Sequence, residues 1–170
     1  MTPNEKTKAL IEALPYIERY HNKTVVIKLG GNAMSEIKNA AEDIAFLKRM
    51  GINVVVVHGG GPEIDKELKK MGIIPKFIGG LRYTDEKVIK AVEKVFRRVN
   101  RRIAKMLKQK GVKTVEVMNC INSRQKSEEL GFVGEITKID RQKLAKYLDS
   151  NNVPVISPIG IGNHQKYNIN

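Results

Sequence analysis

Two β-branched runs that each break on glycine constrain this chain most. Thr24-Val-Val-Ile-Lys-Leu29 stops at Gly30-Gly31-Asn32, and Ile52-Asn-Val-Val-Val-Val57 stops at His58-Gly-Gly-Gly-Pro62. Such runs read as strands buried within a sheet. A helical pattern follows each one. The first extends from about Ser35 to Met50 and is stopped by Gly51. The second has Pro62 at its start, runs from Glu63 to Lys70 and ends at Gly72. Strand, glycine turn and helix, repeated, predict an α/β fold on a mostly parallel sheet.

The rest of the chain fits that frame. Residues 5–20 read as an amphipathic helix with Ala9, Leu10, Ala13, Leu14 and Ile17 on one stripe. Ile73 to Tyr83 is looser. Thr84-Asp85-Glu86 opens a long helix to about Gln109, with acidic residues in its first turn. Val112–Met118 is an expected strand, 119–129 a loop, Phe132–Ile136 a strand and Asp140–Leu148 a helix. Val153–Ile156 is a third buried strand, 160–166 a turn, and Tyr167 begins another strand. No internal repeat or low-complexity linker divides the chain. Its 170 residues suit one domain, or one lobe of a larger enzyme. The single cysteine, Cys120, excludes a disulfide framework and a multi-cysteine metal site. No apolar run approaches the roughly 18 residues of a spanning helix. Met1 to Lys8 lacks the apolar core of a signal peptide. A cytoplasmic protein is the expectation.

In parallel α/β sheets, ligands bind beyond the carboxyl ends of the strands. Glycine there lets backbone N–H groups approach an anion, and a helix N-terminus adds a favourable dipole. The turns at Gly30-Gly31 and Gly59-Gly60-Gly61 thus make a candidate cradle for one anion. Neither has the spacing of a P-loop or of a dinucleotide fingerprint. Lys28 lies at the end of an otherwise apolar strand, where a lysine is costly without a counter-charge. His58, with no second histidine at metal-site spacing, reads as a hydrogen-bonded structural residue.

These residues carry a resemblance. Val26-Ile27-Lys28-Leu29-Gly30-Gly31-Asn32-Ala33-Met34 resembles the first strand and phosphate loop of the amino-acid kinase family. Val55-Val56-Val57-His58-Gly59-Gly60-Gly61-Pro62-Glu63-Ile64 looks like the second glycine loop of the members that act on N-acetyl-L-glutamate. Carbamate, uridylate and aspartate kinases have different second loops. Gly80-Leu81-Arg82-Tyr83-Thr84 is similar to the substrate clamp of those members. Leu130 to Glu135, Val153 to Gly160 and Tyr167 to Asn170 match further segments in order, so the resemblance covers nearly the whole chain.

The resemblance implies a three-layer αβα sandwich with an open, mostly parallel sheet. It implies transfer of the γ-phosphoryl group of ATP to the side-chain carboxylate of N-acetyl-L-glutamate, giving an acyl phosphate in arginine biosynthesis. ATP is then a co-substrate accompanied by Mg2+, and the resemblance implies no metal ligand among these residues. By the same analogy Lys28 is catalytic and stabilises the transferring phosphoryl group. Gly30 and Gly31 bind phosphate, and Gly59 and Gly60 hold the substrate. Arg82 clamps its α-carboxylate, a task suited to a planar bidentate donor, and Asn168 contacts the same amino acid. Residues 1–20 resemble the N-terminal helix of arginine-inhibited hexameric members, with Tyr16 at the position tied to assembly and inhibition. Residues 21–170 correspond to the amino-acid-binding lobe. A homo-oligomer, dimer or hexamer, is implied, in the cytoplasm or the plastid stroma.

The sequence also departs from the family. An alanine and the catalytic aspartate would follow Asn170, and the ATP-binding half lies after them, so that half is expected to be absent from these 170 residues. The long helix reads Phe96-Arg97-Arg98-Val99-Asn100 where the family has a mid-helix glycine. A short Asn119-to-Lys126 segment replaces a longer glycine-rich turn and hairpin. The chain could therefore be an inactive lobe that binds or senses N-acetylglutamate. Its charge raises one other class. Lys and Arg number 31 against 18 Asp and Glu, a net +13. Ten of the basic residues fall between Lys87 and Lys110 against one acid, Glu93. Residues 90, 94, 97, 101, 105 and 108 share one helix face, which could track the phosphates of a nucleic acid. Aromatics do not interleave with that stripe, so a solvated helix face is the expected reading.

Overall fold

The computed structural model describes residues 1–30 and 37–169. Gly31, the proposed start of a helix at Ser35, and Asn170 lie outside the described residues. The chain begins with α1 (Pro3–Tyr20), opened by a capping box: the Thr2 hydroxyl accepts from the Glu5 N–H, and the Glu5 carboxylate accepts from the Thr2 N–H. No residue of α1 is buried. Leu10 and Leu14 of its apolar stripe stand in solvent, as do Ile11 and Tyr16.

The next elements are β1 (Thr24–Leu29), α2 (Ile37–Arg49), β2 (Asn53–His58) and α3 (Gly61–Lys70). A two-residue hairpin follows, β3 (Phe77–Ile78) with β4 (Leu81–Arg82), and then α4 (Glu86–Gln109). After it come β5 (Thr114–Val117), β6 (Ile121–Gln125), β7 (Gly134–Ile139), α5 (Arg141–Asp149), β8 (Val153–Ile156), β9 (Ile159–Gly162) and β10 (Gln165–Asn168). The central sheet has the order β1-β2-β8-β5, and every pairing in it is parallel.

Side-chain alternation splits that sheet into two faces. Leu29, Val54, Val56, Val153 and Val155 meet Ile44, Leu68, Val92, Val95, Phe96 and Ile103 of α2, α3 and α4 in the main core. On the opposite face Val55, Val117 and Ile156 pack with Leu144, Tyr147 and Leu148 of α5. Helices on both faces give the three layers expected. One expectation fails in part: β1 is not buried on both faces. Its Thr24, Val26 and Lys28 are exposed on the α5 side, beside the covered Val55, because α5 packs over β8 and stops short of β1.

A second sheet, β10-β9-β6-β7, continues from the carboxyl end of the first. β5 passes into β6 through residues 118–120, and β8 passes into β9 through Ser157 and Pro158. The expected loop at 119–129 is therefore a strand plus a short 3-10 turn, and the turn at 160–166 is a hairpin. Residues 73–83 hold the β3–β4 pair. These segments are polar or very short, so they carry no hydrophobic period to read.

The amphipathic α4 forms as its sequence predicts. Asp85 caps it by accepting from the N–H groups of Lys87 and Val88. Part of its basic face is neutralised within the fold. Glu67 of α3, with its side chain 7% exposed, accepts from Lys94 at 2.7 Å and Arg98 at 3.2 Å. Glu93 binds Arg97 and Lys166. Hydrogen bonds from Lys94 and then Arg98 hold the Glu67 carboxyl below its ordinary value, against burial. A lowered carboxyl pKa stabilises the fold above the unfolded value of about 4.5, and that stabilisation is lost as pH falls below it. Glu67→Gln is therefore expected to melt below the wild type at pH 7. The gap should close as pH falls beneath that value, which thermal denaturation at several pH values will measure.

Candidate functional site

The glycine turns sit where the strands of the parallel sheet end. Adjacent pairing of β1 and β2 brings them together, and the Gly59 N–H donates to the Leu29 carbonyl at 2.8 Å. Gly60 is the N-cap of α3, and a side chain there would approach the Phe96 ring to 3.0 Å. Glycine at 60 thus lets the turn lie directly on α4. Gly30 differs, since a side chain there would meet no neighbour within 4 Å among the described residues. Gly31, the other residue expected to bind phosphate, is outside the described residues.

Lys28, one residue before the end of β1, lies on the open face and is exposed, with no ion pair among the described residues. The cost expected of a lysine in an apolar strand does not arise, because Lys28 is exposed. That position leaves an ammonium free beside the glycine turns.

Arg82 ends β4 and is 5% exposed. Its Nη1 lies 2.7 Å from Asp65 Oδ1 on α3, at angles short of a well-formed hydrogen bond. Its guanidinium lies over the Phe77 ring, 4.8 Å from the centroid. Contacts then lead around the site. Thr84 accepts from the Phe132 N–H at 2.6 Å, and the Phe132 carbonyl accepts from the Asn168 N–H at 2.8 Å. Asn168, buried, pairs with Ile159, and the Ile159 N–H donates to the Ser157 carbonyl. Ser157 meets His58, the residue before Gly59. Gly59, Gly60, Arg82 and Asn168 therefore lie on one closed circuit of contacts, although up to 109 positions separate them (168 minus 59). Tyr16 is not on it; it stands exposed on α1.

His58 hydrogen-bonds as expected, with partners the sequence does not reveal. Its Nδ1 lies 2.8 Å from the Gly59 carbonyl and its Nε2 lies 3.2 Å from Ser157 Oγ. Burial lowers its pKa, offset in part by the Gly59 hydrogen bond and the nearby Glu63 carboxylate. Asn100 of α4, fully buried, donates to Ser157 Oγ and to the Val155 carbonyl, each at 2.8 Å.

Other features fall elsewhere. An open cleft of about 780 Å³ beside β7 and the start of α5 contains none of these residues. Among the described residues no three His, Cys, Asp or Glu side chains gather as a metal site requires. No described helix is long and apolar enough to cross a membrane. Cys120 is buried, and burial raises its thiol pKa.

Comparison with known proteins adds the family context. A model described as the amino acid kinase family matches residues 23–170. The acetylglutamate kinases of Clostridioides difficile and Caldicellulosiruptor saccharolyticus are 43% and 42% identical over 98% of this chain. The chain spans about 62% of the length of each. An N-acetylglutamate synthase from Neisseria gonorrhoeae, solved with coenzyme A and N-acetyl-glutamate, superposes with a TM-score of 0.85 at 26% identity. That match covers 96% of this chain and 40% of the synthase.

Proposed function

The chain belongs to the amino acid kinase family, and from that premise we propose that it is the N-acetyl-L-glutamate-binding part of an acetylglutamate kinase. The observation that carries the reading is the contact circuit joining the Gly59–Gly61 turn to Arg82 and Asn168. N-acetyl-L-glutamate is a dicarboxylate. Arg82 supplies a planar donor for its α-carboxylate, and Asn168 lines the same mouth. The Gly60 N–H, at the start of α3, faces the reacting carboxylate with the favourable end of the helix dipole.

The reaction joins two anions. A side-chain carboxylate oxygen of the substrate bonds to the γ-phosphorus of ATP, the bond to the leaving ADP oxygen breaks, and an acyl phosphate results. No covalent enzyme intermediate is needed, so positioning and charge stabilisation supply the catalysis. Lys28, exposed beside the glycine turns, offsets the charge on the transferring group. Gly30 and Gly31 offer backbone N–H groups to the phosphates. Mg2+ would enter with the ATP phosphates; the described residues provide no cage for it, and no step here depends on a protein-held ion.

The exposed apolar residues of α1, Tyr16 among them, support assembly as a homo-oligomer, dimer or hexamer. The cytoplasm is the compartment that suits this reading. The nucleotide half of the reaction is assigned to the part of the relatives that lies beyond this span. Incubating the 170-residue chain with N-acetyl-L-glutamate, MgATP and hydroxylamine is therefore expected to give no hydroxamate. A hydroxamate signal lost in Lys28→Ala would contradict that division of labour.

A further inference from the structure

We propose that Asn100, Ser157 and His58 form a positioning relay that fixes the His58 tautomer and so aims the Gly60 N–H. The inference rests on the reading that this turn holds the substrate, and it adds to that reading the residues that hold the turn in place.

The Val155 carbonyl can only accept, so the Asn100 side-chain atom 2.8 Å from it is the amide nitrogen. That nitrogen also lies 2.8 Å from Ser157 Oγ, so the serine oxygen accepts from Asn100. The one serine proton is then free for His58 Nε2, 3.2 Å away. Nε2 is thereby the accepting nitrogen of a neutral ring, and Nδ1 carries the hydrogen. The Nδ1–H donates to the Gly59 carbonyl at 2.8 Å, and a carbonyl can only accept. Each hydrogen bond agrees with the next.

The consequence falls on one peptide plane. In a trans peptide the C=O of one residue and the N–H of the next point in opposite directions. Holding the Gly59 carbonyl toward His58 therefore turns the Gly60 N–H away from the core. The Gly59 N–H is held separately by the Leu29 carbonyl. The turn is fixed on both sides of Gly59, while the Gly60 N–H has no hydrogen-bond partner among the described residues. The ring is kept in place by its edge-on contact with Phe96, at 5.8 Å between centroids. The relay joins the ends of β2 and β8 to the middle of α4, so the sheet and its covering helix together set the direction of one N–H.

The charged group facing the ring is Glu63 of α3, which opposes the effect of burial. Protonating Nε2 would turn an acceptor into a donor against the serine hydroxyl. A His58 pKa held below its unfolded value of about 6.5 means that the neutral, relay-competent form costs nothing above that pH. The arrangement weakens as pH falls below it.

Two substitutions separate positioning from packing. In His58→Asn the side-chain amide nitrogen occupies the place of Nδ1 and can still donate to the Gly59 carbonyl. In His58→Gln the amide reaches the place of Nε2 and keeps Ser157 but releases Gly59. Nitrogen-15 NMR of the wild-type ring at pH 8 should show the proton on Nδ1. The Gly60 amide resonance should shift in His58→Gln and stay near the wild-type position in His58→Asn. Calorimetry with N-acetyl-L-glutamate should show about tenfold weaker binding for the Gln variant. The Asn variant should stay within about threefold of the wild type. A ring protonated on Nε2, or a Gly60 amide that responds alike to both variants, overturns the relay. If the wild type binds no N-acetyl-L-glutamate, the functional reading falls, and the NMR results still decide the relay.

Discussion

Arg82→Ala is expected to remove N-acetyl-L-glutamate binding almost completely while leaving the fold intact. Arg82 is 5% exposed, and the Phe77 face and the Asp65 carboxylate hold its guanidinium in place. A charge prepared in this way loses little further freedom when a carboxylate arrives. Truncating one partner of a buried charge pair costs about 2–5 kcal/mol, or roughly 30-fold to several thousand-fold in affinity. The effect on folding is smaller. Asp65 has a side chain 47% exposed, so water takes the place of the lost guanidinium. Arg82→Lys keeps the charge but not the planar fork, and it is expected to fall between the alanine variant and the wild type. Asp65→Asn removes the carboxylate that competes for Arg82, and its affinity should equal or exceed that of the wild type. Titration calorimetry on variants with matched circular dichroism spectra measures all three. Wild-type affinity in Arg82→Ala would remove this residue from the site.

Gly131→Ala should have the largest effect on stability. Gly131 has φ +66° and ψ −127°, a conformation that costs a residue with a side chain about 1–3 kcal/mol. It also pairs with Thr84, and an added Cβ would run into the Thr84 carbonyl oxygen. Relief requires the strands to part. That endangers the bond from the Thr84 N–H to the Leu130 carbonyl and the bond from the Phe132 N–H to the Thr84 carbonyl, each worth about 1 kcal/mol. The sum is about 3–5 kcal/mol, a large share of the roughly 5–15 kcal/mol that holds a domain together. At about 2–4 °C per kcal/mol, the melting midpoint should drop by roughly 10 °C. A drop of only about 1 °C would mean that the Thr84–Gly131 contact bears no strain. The same substitution should weaken amino-acid binding, because Thr84 and Phe132 link Arg82 to Asn168.

Much of the fold was legible because burial writes itself into composition. β1 and β2 are β-branched runs that end at glycine, β8 is a short apolar run closed by Ser157-Pro158, and the α4 stripe of Val92, Val95, Phe96, Val99 and Ile103 has an unbroken helical period. β6 was not legible. Its Ile121-Asn-Ser-Arg-Gln125 run is polar, and its partners β7 and β9 are supplied by distant sequence. The exposure of Lys28 was hidden for a related reason. The run around it shows only that β1 has an apolar face, whereas the coverage of its other face depends on where α5 ends. In the site, the triple glycine was visible from chemistry alone, and Arg82 stood out only beside its neighbours Gly80 to Thr84. The Asn100–Ser157–His58 relay has no sequence signature. Its members lie 42 and 57 positions apart, and each is an ordinary polar residue until the fold removes water from around it.

The most direct test of the central claim is a calorimetric titration of N-acetyl-L-glutamate into the 170-residue chain, with unacetylated L-glutamate as comparator. Saturable binding of one N-acetyl-L-glutamate per chain is expected, with weaker heat from L-glutamate and loss of the signal in Arg82→Ala. A folded wild-type chain that binds neither compound, or that binds N-acetyl-L-glutamate equally well without Arg82, would contradict it.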